Sequence, residues 1–577
     1  MSCGYNTWWA LGMAVMLFTS VVSAHESAPN SPGAQSLTSP PAALEAGDGS
    51  ASNNATEHSA HDATKKSPDQ RHRPPILVEK KTSFIISPLR ADGFPDYFAA
   101  LNDHCRGASN SENNAANLLI QAFGPETVPA GLRDEYFKLL GIKALPAVGK
   151  YFVRSQAMAE RWIKGAAEMR EDEENSLQEQ FATATEQPWS AAEYPMVAEW
   201  LLINDEPLRL IVDASHRPYF YEPILSPSPD LPALYSVVLP LEEPLGEIAL
   251  ALEARAMLRA DSGDVESAWS DLLACQRCLR LMAGMPVGQY AVETRTAEIA
   301  LSQTEVKLLH YCRPDANQIE RMRSDLAALP PLPGLANRID LGDRFRFLDA
   351  VCALDRQGPA VLQKLFGETS LTTEEGPLQK AVSDALFDWN EPLRMGNEWF
   401  DREVAVYRMT DHKKRDEALE QLHFDIEQMT ADTANAGVFA FTWFAKKAGK
   451  PAVGKVVGAS LLQLFDNEVP GILNVADQLE LRLAFSQAGM ALAAYRAEHG
   501  EYPERLDDLV PKYLAGPPRD LYGDQAALHY RRESSGYLLY SVGPNGRDEQ
   551  GGTSDNFLDS DDISLFISDA PAKADSK

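Results

Sequence analysis

Residues 245–285, LGEIALALEARAMLRADSGDVESAWSDLLACQRCLRLMAGM, constrain the fold more than any other stretch of the chain. Ala249, Leu252, Ala256 and Leu258 recur at helical spacing and form one apolar face. Asp261-Ser262-Gly263-Asp264 then punctuates, and Ala268, Leu272, Cys275 and Leu279 form a second face. Two amphipathic helices joined by so short a turn must pack on each other, because neither can bury its apolar stripe alone. The spacing therefore predicts an αα-hairpin, similar in its Ala-rich packing and Gly-Asp turn to a tetratricopeptide pair, although no unit of fixed period follows.

Helical patterning extends well beyond this unit. Segments 176–185, 191–204 and 207–214 read as helices punctuated by Pro188, Pro195 and Pro218. Further helices are expected over 290–310, from Asp315, from Arg344, and from Trp389 through Arg415 to about Asp432, with the LPPLPGL run at 329–335 as a break. Residues 76–90, ILVEKKTSFIISPLR, are read as containing a strand. The stretch 440–462 mixes apolar residues with Lys446, Lys447, Lys450 and Lys455; it is read as a packed helix with its flanking loop, a membrane-surface or partner-binding helix being the alternative.

With 577 residues, 44% hydrophobic and 24% charged, the chain has material for more than one core. Its formal charge of −30 repels phosphate backbones and anionic lipid, which argues against nucleic acid as a partner and favours solubility and cation binding. The N-terminus carries an apolar run from Trp8 that ends in Val22-Ser23-Ala24, the pattern of a signal peptide cleaved after Ala24. An uncleaved anchor is the alternative, and only in that case is a membrane a partner; the run is shorter than the roughly 20 residues that cross a bilayer. Residues 25–80 hold almost no large apolar side chains before Pro75 and are expected to be a disordered linker, with His25, His58, His61 and His72 solvated. Cysteines at 3, 105, 275, 278, 312 and 352 are too sparse to suggest a disulfide framework. Cys275 and Cys278 read as small core residues on one helix face, a local disulfide or redox pair being the alternative.

The C-terminal part has a different texture. Leu481, Phe485, Ala488, Leu492 and Tyr495 mark a long helix ended by Gly500, followed by a short helix from Pro503 to Leu509 and strands over 528–532 and 536–542. The runs YRAEHGEYPERLDDLVPKYL, PPRDLYGDQAALHY, YLLYSVGPNGRDEQGG and DSDDI appear here in order. Together they resemble the C-terminal half of the major pseudopilin of bacterial type II secretion, pseudopilin G. The resemblance implies a long helix on a small antiparallel sheet, with a calcium ion bound by the loop after the last core strand. On these residues Asn545 matches the Gly-Pro-x-Gly turn, and Asp561-Asp562 matches the acidic pair before the final apolar residue. Asp548 and Asp555 supplement them, since calcium takes six to eight hard oxygen ligands in flexible geometry. The competing reading is a solvated acidic loop. The basic leader and apolar N-terminal helix of that family do not precede this helix, so polymerisation through them is not expected.

The chain holds no His-Glu-x-x-His, Gly-x-Ser-x-Gly, Walker or dinucleotide signature. Glu171-Asp172-Glu173-Glu174 reads as a wet helix face, and His216 to Tyr221 as core packing at a helix end, the lining of a pocket being the alternative. The expected architecture is mainly α: a signal peptide over 1–24, a linker over 25–80, a largely helical αα-hairpin array over 81–465 and a small pseudopilin-like α+β domain over 466–570. The function expected is binding or assembly with other proteins of the bacterial envelope, after export to the periplasm or cell surface. An extracytoplasmic hydrolase with its site in the helical region is the alternative.

Overall fold

Helices Leu245–Asp261 and Val265–Met282 stand where the hairpin is expected. Gly263 makes the turn at φ +79, a left-handed conformation that costs glycine nothing, and the Asp264 side chain accepts from Ser267 N at 3.1 Å to start the second helix. Buried Ala251, Ala254, Ala256, Ala268 and Ala274 leave small faces through which the two helices approach. Asp271, buried between them, accepts from the Arg255 guanidinium at 2.6 and 3.0 Å and from Arg259 at 2.6 Å.

The computed structural model describes residues 76–165, 177, 179–227, 231–366, 378–379, 381, 387–434, 447, 449–465, 469–523, 526–551 and 561–568. In chain order the helices are α1 (Tyr97–Arg106), α2 (Ala115–Phe123), α3 (Arg133–Leu140), α4 (Ser155–Gly165), α5 (Pro195–Ile203), α6 (Asp205–Ser215), α7 (Leu245–Asp261), α8 (Val265–Met282), α9 (Tyr290–Cys312), α10 (Ala316–Ala327), α11 (Arg344–Gln357), α12 (Ala360–Phe366), α13 (Asn390–Tyr407), α14 (His412–Ala434), α15 (Lys450–Phe465) and α16 (Val469–His499). Strands β1 (His529–Arg532), β2 (Gly536–Ser541) and β3 (Ile563–Ser568) form one antiparallel sheet in the order β1-β2-β3. The chain is thus mainly α, with a small three-stranded sheet near its C-terminus. The signal-peptide segment and nearly all of the linker lie outside the described residues, as does 435–446.

Three local expectations are corrected. Residues 76–90 form no strand: Thr82 Oγ1 and Ser83 Oγ both bond back to Glu79 O, at 3.2 and 3.0 Å, and coil the segment into turns, leaving one isolated bridge between Leu89 and Pro95. The helical text from Trp389 to Asp432 is broken at 408–411, where Asp411 begins a new helix by accepting from Lys414 N at 3.2 Å. The short helix after Pro503 is a single 3-10 turn, Leu506–Leu509.

The sheet is joined to the helical region chiefly through α16, which lies along α9. Gly489 sits so close to α9 that a Cβ there would stand 2.8 Å from Val306 Cγ2. Ser486 donates to Glu305 at 2.8 Å. The Arg496 guanidinium caps the end of α9, donating to Leu309 O at 2.8 Å and His310 O at 3.2 Å, carbonyls that a helix terminus leaves without internal donors. On β2 every residue is buried; Tyr537 lies opposite Ile567 and Leu539 opposite Leu565, all four in the apolar core.

Candidate cation site in the C-terminal loop

The loop between β2 and β3 is anchored at its start by Asp520. This buried carboxylate accepts from Ser541 Oγ at 2.6 Å, Val542 N at 2.9 Å and Tyr522 N at 3.0 Å, which fixes where β2 ends. Gly543 then turns the chain at φ +64, and a Cβ at this position would lie 2.1 Å from the Asp561 carbonyl oxygen. Only a residue without a side chain lets the two ends of the loop touch there. A tight turn follows, with Gly546 N donating to Gly543 O at 3.1 Å. The chain folds back over β2 at Gly551, whose Cβ would meet Leu538 and Tyr540 at under 3 Å.

These turns bring Glu549, Asp561 and Asp562 together, with one carboxylate oxygen from each lying within 4.8 Å of the others. Each carboxylate has one oxygen held by a loop N–H. Asn545 Nδ2 donates to Glu549 Oε1 at 3.2 Å, Asn545 N to Asp561 Oδ2 at 2.7 Å, and Gly551 N to Asp562 Oδ2 at 2.8 Å. The second oxygen of each, Glu549 Oε2, Asp561 Oδ1 and Asp562 Oδ1, is shielded from solvent and has no hydrogen-bond partner among the described residues. An anionic oxygen in that state is costly unless a cation or a proton compensates it. Burial, and then the neighbouring Glu549, push the Asp562 carboxyl up to about 6. Three hard oxygen donors on a glycine-rich loop are of the kind that calcium takes, in a shell of six to eight.

The expected ligands divide on this geometry. Asp561 and Asp562 are brought together. Asn545 stands beside them, organising two carboxylates through its N–H groups while its Oδ1 accepts from Arg547 N at 2.6 Å. Asp548 points elsewhere: its carboxylate accepts from Gln550 N at 2.8 Å and Tyr540 OH at 3.2 Å, and lies 3.6 Å from His529 Nδ1. Asp555 lies outside the described residues. Sequence reasoning misses Glu549. The adjacent pair Asp548-Glu549 is the available signal, but which member turns inward depends on the backbone, including the left-handed Gln550 at φ 63.

Elsewhere, Cys275 and Cys278 are free buried thiols on α8, and burial pushes the Cys278 thiol up to about 12, far from a reactive thiolate. The aromatic run after His216 diverges: Tyr219 faces solvent, Phe220 packs on Tyr290, and Tyr221 is buried with its hydroxyl 3.2 Å from Asn102 Oδ1. The acidic run at 171–174 lies outside the described residues. A cavity of about 30 Å³ beside the π-helical turn Arg338–Asp343, lined in part by Arg346, Glu403 and Tyr407, has room for a water rather than a metabolite. Among the described residues no helix is long and apolar enough to cross a membrane. No protein-family model, no curated protein and no solved structure matches the chain.

Proposed function

We propose that this is an exported bacterial envelope protein that acts in binding or assembly, presenting a calcium-stabilised, pseudopilin-like head on a helical scaffold of αα-hairpin type, with other envelope proteins as partners. The observation that carries the reading is the trio Glu549, Asp561 and Asp562, each with one oxygen fixed by an N–H and one buried oxygen with no partner among the described residues. Calcium would bridge the two ends of the loop and fasten β3 to β2, because Asp561 and Asp562 lead directly into β3. Its role is structural: it orders the loop and the sheet edge and takes part in no reaction. The long helix followed by an antiparallel sheet supports the resemblance read from 495–563, and the acidic balance of the chain suits a cation-binding surface protein.

The test is a thermal melt of the full chain with calcium and with a chelator, alongside the pair Asp561→Ala with Asp562→Ala and the single Glu549→Gln. The full chain is used because α16 buries its face on α9. A ligand bound only by the folded state raises Tm, increasingly with the logarithm of its concentration above Kd. The wild type is expected to gain stability with calcium, the double variant to gain none, and Glu549→Gln to need more calcium for the same gain. A wild-type melt indifferent to calcium and chelator would sink the proposal.

A further inference from the structure

Two titratable groups of the helical region, Glu305 and His412, contact α16. The first is Glu305 on α9, 1% exposed, with Oε2 accepting from Ser486 on α16 at 2.8 Å and Oε1 buried without a partner among the described residues. The groups facing it are Glu253 from α7, Arg280 and the Cys275 thiol from α8, and Glu298 from α9 itself; Ser486 faces it from α16. Two further carboxylates against one guanidinium leave an ionised Glu305 poorly compensated, and a neutral carboxyl avoids the cost of a buried charge.

The second contact is His412 at the start of α14. Its Nδ1 lies 3.3 Å from Asp477 Oδ1 and its Nε2 3.4 Å from Glu480 Oε1, both on α16. The first of these is an ion-pair separation without hydrogen-bond alignment, so its strength depends on the imidazolium charge. Asp411 stands beside it in sequence, and Asp477 itself is shared with Arg415, which donates to both its oxygens at 2.9 and 2.6 Å, and lies near the Tyr522 hydroxyl from the loop beyond α16.

We propose that α16, and with it the C-terminal sheet, is held on the helical region by two proton-dependent latches, neutral Glu305 bonded to Ser486 and charged His412 between Asp477 and Glu480, so that the joint loosens as the medium turns alkaline. The proposal is independent of the cation reading. Burial pushes Glu305 up to about 8, and the adjacent carboxylates of Asp477 and Glu480 raise His412 to about 9. Opening α16 therefore releases a proton from Glu305 between its usual value of 4.5 and about 8, and from His412 between 6.5 and about 9. Each proton released makes the opening equilibrium rise by up to tenfold per pH unit within its window.

The experiment is amide hydrogen exchange on the full chain from pH 6 to 9.5, corrected for the intrinsic rate, comparing α16 with α2, which touches neither latch. Protection of α16 is expected to fall with pH faster than that of α2, most steeply between 6.5 and 8 where both windows overlap. Glu305→Gln should abolish the fall below 6.5 and reduce it between 6.5 and 8, whereas His412→Gln should reduce it between 6.5 and 8 and abolish it above 8. Should Glu305→Gln fail to fold, Ser486→Ala serves. It strips the donor that favours the anion, so the Glu305 window should extend to higher pH. Protection of α16 that is independent of pH, that falls only in step with α2, or that ignores both the Glu305 and Ser486 substitutions would overturn the proposal.

Discussion

Gly543 shows how much a single position can decide. Its φ of +64, and the 2.1 Å that would separate a Cβ at this position from the Asp561 carbonyl oxygen, impose two separate penalties on any side chain. Gly546, at φ +68 with nothing within 4 Å, imposes only the first. Gly543→Ala should therefore destabilise the protein by more than the roughly 1 kcal/mol typical of left-handed glycines, and should weaken calcium binding, while Gly546→Ala stays near that value. Equal denaturation midpoints for the two variants would show that the pinch at Asp561 does not control the loop. The two acids that follow the turn make the same point about side chains. Both are carboxylates, yet Asp548 bonds to Tyr540 and Gln550 while Glu549 joins the trio.

At the scale of elements, the α7–α8 hairpin combines a contact legible in the sequence with one that is not. The small apolar faces and the Gly263 turn follow from periodicity and punctuation. The buried network of Arg255, Arg259 and Asp271 does not, because it depends on how the two helices pack against each other. Removing one partner of a buried pair strands the other. Asp271→Ala is expected to cost about 3–5 kcal/mol, whereas Arg255→Met with Asp271→Leu should be close to neutral, since a well-packed apolar pair replaces the ions without their desolvation cost. Arg259 is one-third exposed and can rehydrate in either variant. Urea denaturation of the single and paired variants measures the difference; a cheap Asp271→Ala would mean the pair is more hydrated than its burial indicates. The strand expected at 76–90 fails at this same scale. Its β-branched and apolar residues suit a strand, but the Thr82 and Ser83 hydroxyls offer the backbone local partners that take precedence when no neighbouring strand is at hand.

For the molecule as a whole, burial of acids sets the direction of the pH response. Glu222, fully buried and bonded by Tyr136 OH at 3.0 Å and Leu241 N at 2.7 Å, is pushed up to about 8, and Glu242 and Glu253 to about 7, in each case chiefly by burial. A carboxyl whose folded pKa is raised binds more protons folded than unfolded, so stability falls as pH rises from about 4.5 to about 8 and levels beyond. His412 acts in the same sense, its contribution being complete below 6.5 and lost as pH climbs to about 9. Tm should accordingly decline steadily from pH 5 to 9, and Glu222→Gln should make that decline shallower. A Tm that rises across this interval would contradict the assignment of these acids as neutral in the fold.

Local patterning determined a good deal by itself. The helical class, the hairpin at 245–285, the starts at Asp264 and Asp315, the glycine stop at Gly500 and the position of the acidic loop all depend on neighbours a few residues apart, and those interactions are written in order along the chain. Tertiary structure alone decided the rest. Which acid of the loop turns inward, that Glu305 meets Ser486, and that the sheet shares a core with the helices through α16 are contacts between residues far apart in sequence. Their identity depends on the angles at which whole elements pack, and that geometry comes from the summed burial of many side chains rather than from any one motif.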